Sequence, residues 1–166
     1  MTGAYWAQPL TEADLDLRLS GLVASMDDWG TVRYATDQPR QGIREFRIEV
    51  RVSAFGVPGA RFIYSEVYIA TARGWVLAEY FYNLLDERDR RFLGYHHHPI
   101  AALAGPDTSI THAHCRPLDQ VDPAHYRAIW VDLWEAHWEF VRCVADPAQY
   151  PDCGALSPLV PAASSS

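Results

Sequence analysis

The sequence predicts an α+β fold, in which an antiparallel meander sheet packs against an N-terminal helix and a Trp-rich C-terminal helix. Residues 43 to 96 contain successive segments of alternating apolar and polar residues, separated by turn signals. Segments with the apolar spacing of helices flank this block on both sides. The chain has 166 residues and is 49% hydrophobic, as is typical of one globular domain. We therefore expect a single domain over 1–153 and a flexible Pro/Ala/Ser tail over 154–166.

The first element is a helix predicted over residues 11–26. Thr11 can cap it, and Asp14 stands in the acid position of a capping box. One apolar stripe is made by Leu15, Leu19, Leu22, Val23 and Met26. The stretch that follows is rich in Gly, Pro and Asp and leaves room for one short strand over 31–35.

Three strands are predicted next, over residues 43–55, 61–70 and 75–85, and a fourth leads into the first histidines. In the first of them, Phe46, Ile48, Val50 and Val52 share one face. VPGA at 57–60, TARG at 71–74 and DERDR at 86–90 are turn signals. Each strand is therefore expected to pair with the next.

A second helix is predicted from Asp122-Pro123, with Asp as N-cap and Pro at the first helical position, to about Ala145. Its apolar face would hold Trp130, Trp134, His137, Trp138 and Val141. The tryptophans either cover the sheet or form a partner surface, such as a homodimer through Trp130, Trp134 and Trp138. His125 would be exposed in the first turn, and His137 would be a core residue.

Charge and cysteine content bear on partners and compartment. The chain has no apolar run near eighteen residues and no secretory signal pattern at its N-terminus, which predicts a cytoplasmic protein without a membrane partner. Three widely spaced cysteines are not expected to form a disulfide framework, and Cys115 is expected to be a core residue or a metal ligand. The net charge of −7 argues against broad, salt-driven nucleic-acid binding but leaves a local arginine patch possible.

Five of the seven histidines fall within residues 94–115, as His96-His97-His98 and His112-Ala113-His114. On a strand, residues i and i+2 share a face. If the two strands are neighbours, His96, His98, His112 and His114 converge on one patch of sheet, and His97 points away.

Two chemistries suit such a patch, and they leave open whether the protein is an enzyme at all. In the first, His98, His112 and His114 act as acid, base and phosphate-positioning group in metal-independent cleavage of a phosphodiester. Arg116 would hold the phosphate, with Arg91 and Tyr95 as weaker substrate-binding candidates. No cofactor is then needed.

In the second chemistry, His96, His98, His112 and His114 supply ligands to a divalent metal such as zinc, with an open position for water. Glu79 could reach in from its strand, and Asp107 is the only acid between the two histidine groups. A third possibility is a non-catalytic binding or assembly protein, in which the histidines form a surface.

The run EYFYNLLDERDRRFLGYHHHPI, followed by THAHC, resembles the TumE-type toxin family of bacterial toxin–antitoxin systems. The resemblance covers about residues 43–116. His97-His98-Pro99 is similar to the family's His-His-Pro element, and His112-Ala113-His114 to its HxH element. It implies a growth-inhibiting, nuclease-like toxin that acts on nucleic acid, with RNA favoured, and that a cognate antitoxin protein neutralises.

Overall fold

The computed structural model describes residues 8–56, 58–99, 109–120, 125–128 and 130–159. These residues form an α+β fold with seven antiparallel strands in the order β1-β2-β3-β4-β5-β6-β7. The elements are α1 (Glu12–Met26), β1 (Gly30–Arg40), β2 (Ile43–Val52), β3 (Ala60–Thr71), β4 (Gly74–Asp86), β5 (Arg91–Pro99), β6 (Ser109–Pro117), β7 (Tyr126–Arg127) and α2 (Leu133–Ala145). Within these ranges, no helix has the length and apolar character needed to cross a membrane.

The structure confirms helix α1 and its predicted N-cap, Thr11. The Thr11 hydroxyl accepts a hydrogen bond from the Asp14 N–H, and the Asp14 side chain accepts in return from the Thr11 N–H. This capping box satisfies two backbone donors that the first helical turn would otherwise leave without partners. The predicted stripe is buried at Leu15, Leu19, Leu22 and Met26.

Both helices pack on one face of the sheet, which we call the helix face. The β2 residues predicted to share a face are all buried there: Phe46, Ile48, Val50 and Val52. From α2, Phe140 contacts the rings of Phe62, Tyr64 and Tyr95. Burying each such large apolar side chain stabilises the fold by about 1.5–3 kcal/mol.

A buried carboxylate fixes α1 to the helix face. Glu66 on β3 is fully buried and accepts hydrogen bonds from Arg18 at 2.7 Å, Tyr68 at 2.6 Å and Tyr82 at 2.7 Å. Because Arg18 belongs to α1 and the tyrosines to β3 and β4, this network joins three elements through one charge. Burying a carboxylate is tolerated only with such complete pairing.

The structure corrects two predicted boundaries. The first strand is β1, Gly30–Arg40, and is longer than the expected 31–35 because it pairs with β2 along its whole length. The predicted start of the second helix, Asp122-Pro123, lies outside the described residues. In the structure the helix begins at Leu133, where Asp132 is the N-cap and Glu135 completes a capping box.

The later start of α2 also changes the predicted tryptophan face. Trp130 precedes the helix and lies edge-on to Tyr80, with ring centroids 4.9 Å apart. Trp134 and Trp138 belong to α2 and are 37% and 51% exposed. The three tryptophans therefore do not cover the sheet as one stripe. His137 is in the core as predicted, where its Nδ1 lies 2.8 Å from the Tyr64 hydroxyl.

The C-terminal segment returns along β7 and is covalently tied to β6. Cys115 is buried, as expected, but forms a disulfide with Cys153 across 38 residues of sequence, which the cysteine spacing did not predict. Cys143 is free and buried. Residues 157–159, which fall in the predicted tail, bond to the strand: the Arg127 N–H donates to the Ser157 carbonyl, and the Leu159 N–H to that of His125.

Candidate functional site

The register of β5 with β6 brings the two groups of histidines together. His96 lies directly opposite His112, and Gly94 lies opposite His114. Residues paired across two neighbouring strands share a face of the sheet, and so do residues two positions apart on one strand. One face therefore holds His96, His98, His112 and His114. This is the face opposite the helices, and we call it the histidine face. The predicted convergence of these four side chains is confirmed.

The structure does not bring three other predicted residues to this face. His97 points to the helix face, as expected, where its Nδ1 lies 2.8 Å from the Thr111 hydroxyl and its ring contacts Trp130. Tyr95 stacks on Phe140, and Arg91 lies over the ring of Tyr150. Tyr95 and Arg91, the weaker substrate-binding candidates, are thus separated from the histidine face by the sheet.

A fifth imidazole, His125, completes the histidine cluster, which comprises His96, His98, His112, His114 and His125. The short strand β7 pairs Tyr126 with Ala113, so the preceding residue, His125, falls beside His114. Its ring centroid lies 4.7 Å from that of His114 and 4.9 Å from that of His112. Sequence reasoning missed His125 because it placed this residue in a helix. The capping-box pair Asp132 and Glu135 was the sequence signal for the true helix start.

His112 lies at the centre of the cluster. Its ring centroid is 4.9 Å from those of His98 and His114 and 5.4 Å from that of His96. It is fully buried, although both helices pack on the other face. Phe81 on β4 forms one side of the cluster, with its ring 4.8 Å from His98 and 5.0 Å from His96.

A hydrogen bond from β4 orients the His96 ring. His96 Nε2 lies 2.7 Å from the Asn83 side-chain oxygen, Oδ1, so the ring donates its Nε2–H to the amide. The Nδ1 lone pair is then left to act as a ligand atom. Gly94 makes this contact possible, because a Cβ at that position would lie 2.5 Å from Asn83 Oδ1 and 3.1 Å from His96 Nε2.

His114 carries an unusual buried atom. Its Nε2 lies 3.1 Å from the Nε2 of His112, while its Nδ1 is buried and has no hydrogen-bond partner among the described residues. Most buried polar atoms have a partner, and one that lacks it is typically satisfied by water or an ion. One of these two rings donates its Nε2–H to the Nε2 lone pair of the other, so a single proton lies between the two nitrogens.

Burial and mutual repulsion keep the His96 and His114 imidazoles neutral. Burial, followed by the neighbouring imidazoles, lowers the pKa of His96 to about 2 and that of His114 to about 3. Neutral imidazole is the form that binds metals. Burial lowers the pKa of His137 to about 4 on the opposite face, where Tyr64 is its hydrogen-bond partner.

Two arginines lie beside the cluster on the histidine face. The Arg116 guanidinium lies over the Phe92 ring at 4.7 Å and donates to the carbonyls of Pro117, Leu118 and Gln120, so it partly serves the turn after β6. Arg127 is opposite His112 in β7, and its side chain is exposed.

The described residues contain two groups with metal-ligand geometry, and both consist of histidines alone. One is His96, His98 and His112; the other is His112, His114 and His125. In each group the ligand atoms lie within 4.8 Å of one another. Glu79 lies on β4 and joins neither group, and Asp107 lies outside the described residues.

Comparison with known proteins adds no relative: no family model, curated protein or solved structure matches this chain. The resemblance to the TumE-type toxins stays a prediction from the sequence.

Proposed function

We propose that the protein is a metal-dependent hydrolase whose divalent ion is bound by His96, His98 and His112, and that its substrate is anionic. The observation that carries this proposal is the convergence of three ligand atoms within 4.8 Å, from two neighbouring strands. His96 and His98 are two residues apart on β5, and His112 is the cross-strand neighbour of His96. Rigid strands hold these ligands, as a preorganised site requires.

The residues around the triad fit a metal site. Metal-binding imidazoles almost always donate their second N–H to an oxygen, which fixes the orientation of the ring. Asn83 provides that oxygen for His96 at 2.7 Å. An all-imidazole ligand set suits zinc, copper or nickel rather than magnesium or calcium, which prefer oxygen.

Three histidine ligands leave a fourth position open, where a divalent ion lowers the pKa of a bound water to about 7 and so supplies hydroxide at neutral pH. Three neutral imidazoles add no negative charge, so the full positive charge of a single bound ion remains available to an anionic substrate. Arg127, exposed opposite His112, is placed to add a second positive charge beside it. A phosphodiester of nucleic acid is the first substrate to test.

Metal-free acid–base cleavage by His98, His112 and His114, the other chemistry that the sequence suggests, receives less support from the geometry. A general acid needs a pKa near the working pH. The pKa of about 3 for His114 keeps that ring deprotonated. Arg116, its expected phosphate holder, already donates to three carbonyls.

The first experiment measures zinc content and cleavage with untagged protein, so that no added histidines bind metal. After equilibration with zinc and dialysis, metal is counted by mass spectrometry, and RNA, DNA and a nitrophenyl phosphodiester are assayed with and without chelator. The variants are His98→Ala and, as the matched control on the same strand and the opposite face, His97→Ala.

We expect bound zinc and chelator-sensitive cleavage that His98→Ala abolishes and His97→Ala retains. Cleavage that persists in chelator and disappears in His98→Ala would replace the proposal with metal-free chemistry. Zinc binding without cleavage of any of the three substrates would contradict the hydrolase and leave a metal-binding protein. Absence of bound metal would overturn the proposed centre.

The partners and location expected from the sequence stay predictions: a nucleic-acid substrate, a cognate antitoxin, a homodimer and the cytoplasm. Of the three tryptophans predicted to form the homodimer contact, Trp134 and Trp138 lie on α2 and are exposed. If they form a dimer contact, Trp138→Ser should convert a dimer to a monomer in sedimentation. An unchanged state would exclude that contact.

A further inference from the structure

We propose that the histidine cluster holds two metal ions, and that His112 bridges them. The second ion would be bound by His112, His114 and His125. This inference rests on the proposed first site at His96, His98 and His112, and it extends that site across β6 to the β7 edge.

The sharing of His112 follows from its place in the cluster. It belongs to both groups of three, and its centroid is 4.9 Å from His98 on one side and 4.9 Å from His114 and His125 on the other. An imidazole has two ring nitrogens directed away from each other. One ring between two ligand pairs can therefore bind one ion through each nitrogen.

An independent observation points to a ligand at the second group. His114 is 4% exposed, yet its Nδ1 has no hydrogen-bond partner among the described residues. Its other nitrogen, Nε2, lies 3.1 Å from the Nε2 of His112, where one ring donates its N–H to the other. A cation that replaces this shared proton would be bound by both Nε2 atoms.

The C-terminal part of the chain builds the second group. Strand β7 holds His125 beside His114. The Arg127 N–H donates to the Ser157 carbonyl, and the Leu159 N–H donates to the His125 carbonyl. The Cys115–Cys153 disulfide ties the same segment to β6 one residue beyond His114. The backbone hydrogen bonds and the disulfide thus both keep His125 beside His114, although the strand that follows it, Tyr126–Arg127, has only two residues.

The proton balance of the bridge is simple. Neutral His112 has one N–H and one lone pair. When the second ion binds, the N–H bond breaks, the proton passes to solvent and its electron pair forms the new bond to the metal. No oxidant or reductant is involved, and one proton is released for the bridge.

The test uses the full, untagged chain with its disulfide intact and counts metal per chain with Zn²⁺ alone. We expect two ions in the wild type, one in His98→Ala, one in His125→Ala and two in His97→Ala. His112→Asn should retain no ion that survives dialysis, and circular dichroism checks that it is folded.

Cu²⁺ in place of Zn²⁺ tests the bridge itself. Two copper ions coupled through one imidazolate should lose most of their paramagnetic resonance signal at low temperature. His125→Ala, with a single ion, should show the full signal. Two ions with an undiminished signal in the wild type would overturn the bridge.

The outcomes also separate this inference from the proposed function. One ion in the wild type that His98→Ala removes and His125→Ala retains would overturn the second site and leave the first standing. One ion that only His114→Ala and His125→Ala remove would overturn the first site and the bridged pair, and would leave a single ion at the second group. No bound ion would overturn the first site and this inference together.

Discussion

Two polar clusters lie on opposite faces of the same sheet, and they differ in how completely they are paired. On the helix face, the Glu66 carboxylate accepts hydrogen bonds from Arg18, Tyr68 and Tyr82. On the histidine face, five imidazoles lie together, and the two groups with ligand geometry contain no carboxylate. In the described part of the chain, His114 Nδ1 has no hydrogen-bond partner. A fully paired buried cluster fixes structure, whereas a cluster with a buried nitrogen that lacks a partner is suited to a ligand.

Acidification should break the comparison most strongly, because His96 and His114 of the histidine cluster oppose protonation more than the core residue His137 does. The folded-state pKa values of His96 and His114 are about 2 and about 3, below the ordinary 6.5. Between those values and 6.5 the unfolded chain binds protons that the folded chain does not, so stability falls as pH falls through this window. The expected loss is about 1.4 kcal/mol per pH unit for each histidine below pH 6.

Urea unfolding of metal-free protein at pH 7, 6, 5 and 4.5 measures this loss. His114→Asn should reduce the slope of the unfolding free energy against pH by the contribution of one histidine, about 1.4 kcal/mol per pH unit. A free energy that is flat from pH 6.5 to 4.5 would show that these rings are solvated rather than buried.

Replacing the Glu66 carboxylate tests the other side of the comparison. Glu66→Gln leaves Arg18 without its buried anion, and breaking such a pair costs about 3 kcal/mol. The half-exposed ion pair of Glu49 with Arg61 is the control, since Glu49→Gln should cost less than about 1 kcal/mol.

Metal content should be unaffected in both variants, because Glu66 is on the helix face. Equal losses of stability in the two variants would contradict the structural role given to the Glu66 network. Loss of zinc in Glu66→Gln alone would show that the two faces are coupled.

The strand periodicity explains how much of this site the sequence could predict. Alternation places His96, His98, His112 and His114 on one face as soon as β5 and β6 are neighbours, and each strand of the meander follows the last. His125 could not be placed, since Asp122-Pro123 has the form of a helix start and strand β7 has only two residues. The disulfide joins residues 38 positions apart, which local patterns do not report.

Asn83 sharpens the comparison, because it is a polar partner of the histidine cluster. Asn83→Leu removes the oxygen that accepts from His96 Nε2 at 2.7 Å. Loss of such an orienting contact typically lowers metal affinity about 10–100-fold. Zinc titration in competition with a chelator measures it, and Asn83→Asp should retain tight binding. An affinity for Asn83→Leu equal to that of the wild type would mean that His96 is not a ligand through Nδ1.

The smallest expected effect is at Gly94, which has no side chain to contribute and acts only through the space it leaves. A Cβ there would lie 2.5 Å from Asn83 Oδ1, 3.1 Å from His96 Nε2 and 3.2 Å from Phe92 Cζ. Gly94→Ala should therefore displace the Asn83 amide and lower zinc affinity in the same direction as Asn83→Leu, but less, because the amide can rotate to a new position. Combining both substitutions should add little to Asn83→Leu alone.

Gly21→Ala on α1 is the matched control for Gly94→Ala. A Cβ at Gly21 meets nothing within 4 Å, so this change should raise stability by up to about 1 kcal/mol through helix propensity and leave zinc affinity unchanged. If Gly94→Ala lowered stability but not zinc affinity, the glycine would serve strand packing only. A loss of affinity that is additive with Asn83→Leu would place its effect on His114, its cross-strand neighbour, and so on the second ion rather than the first.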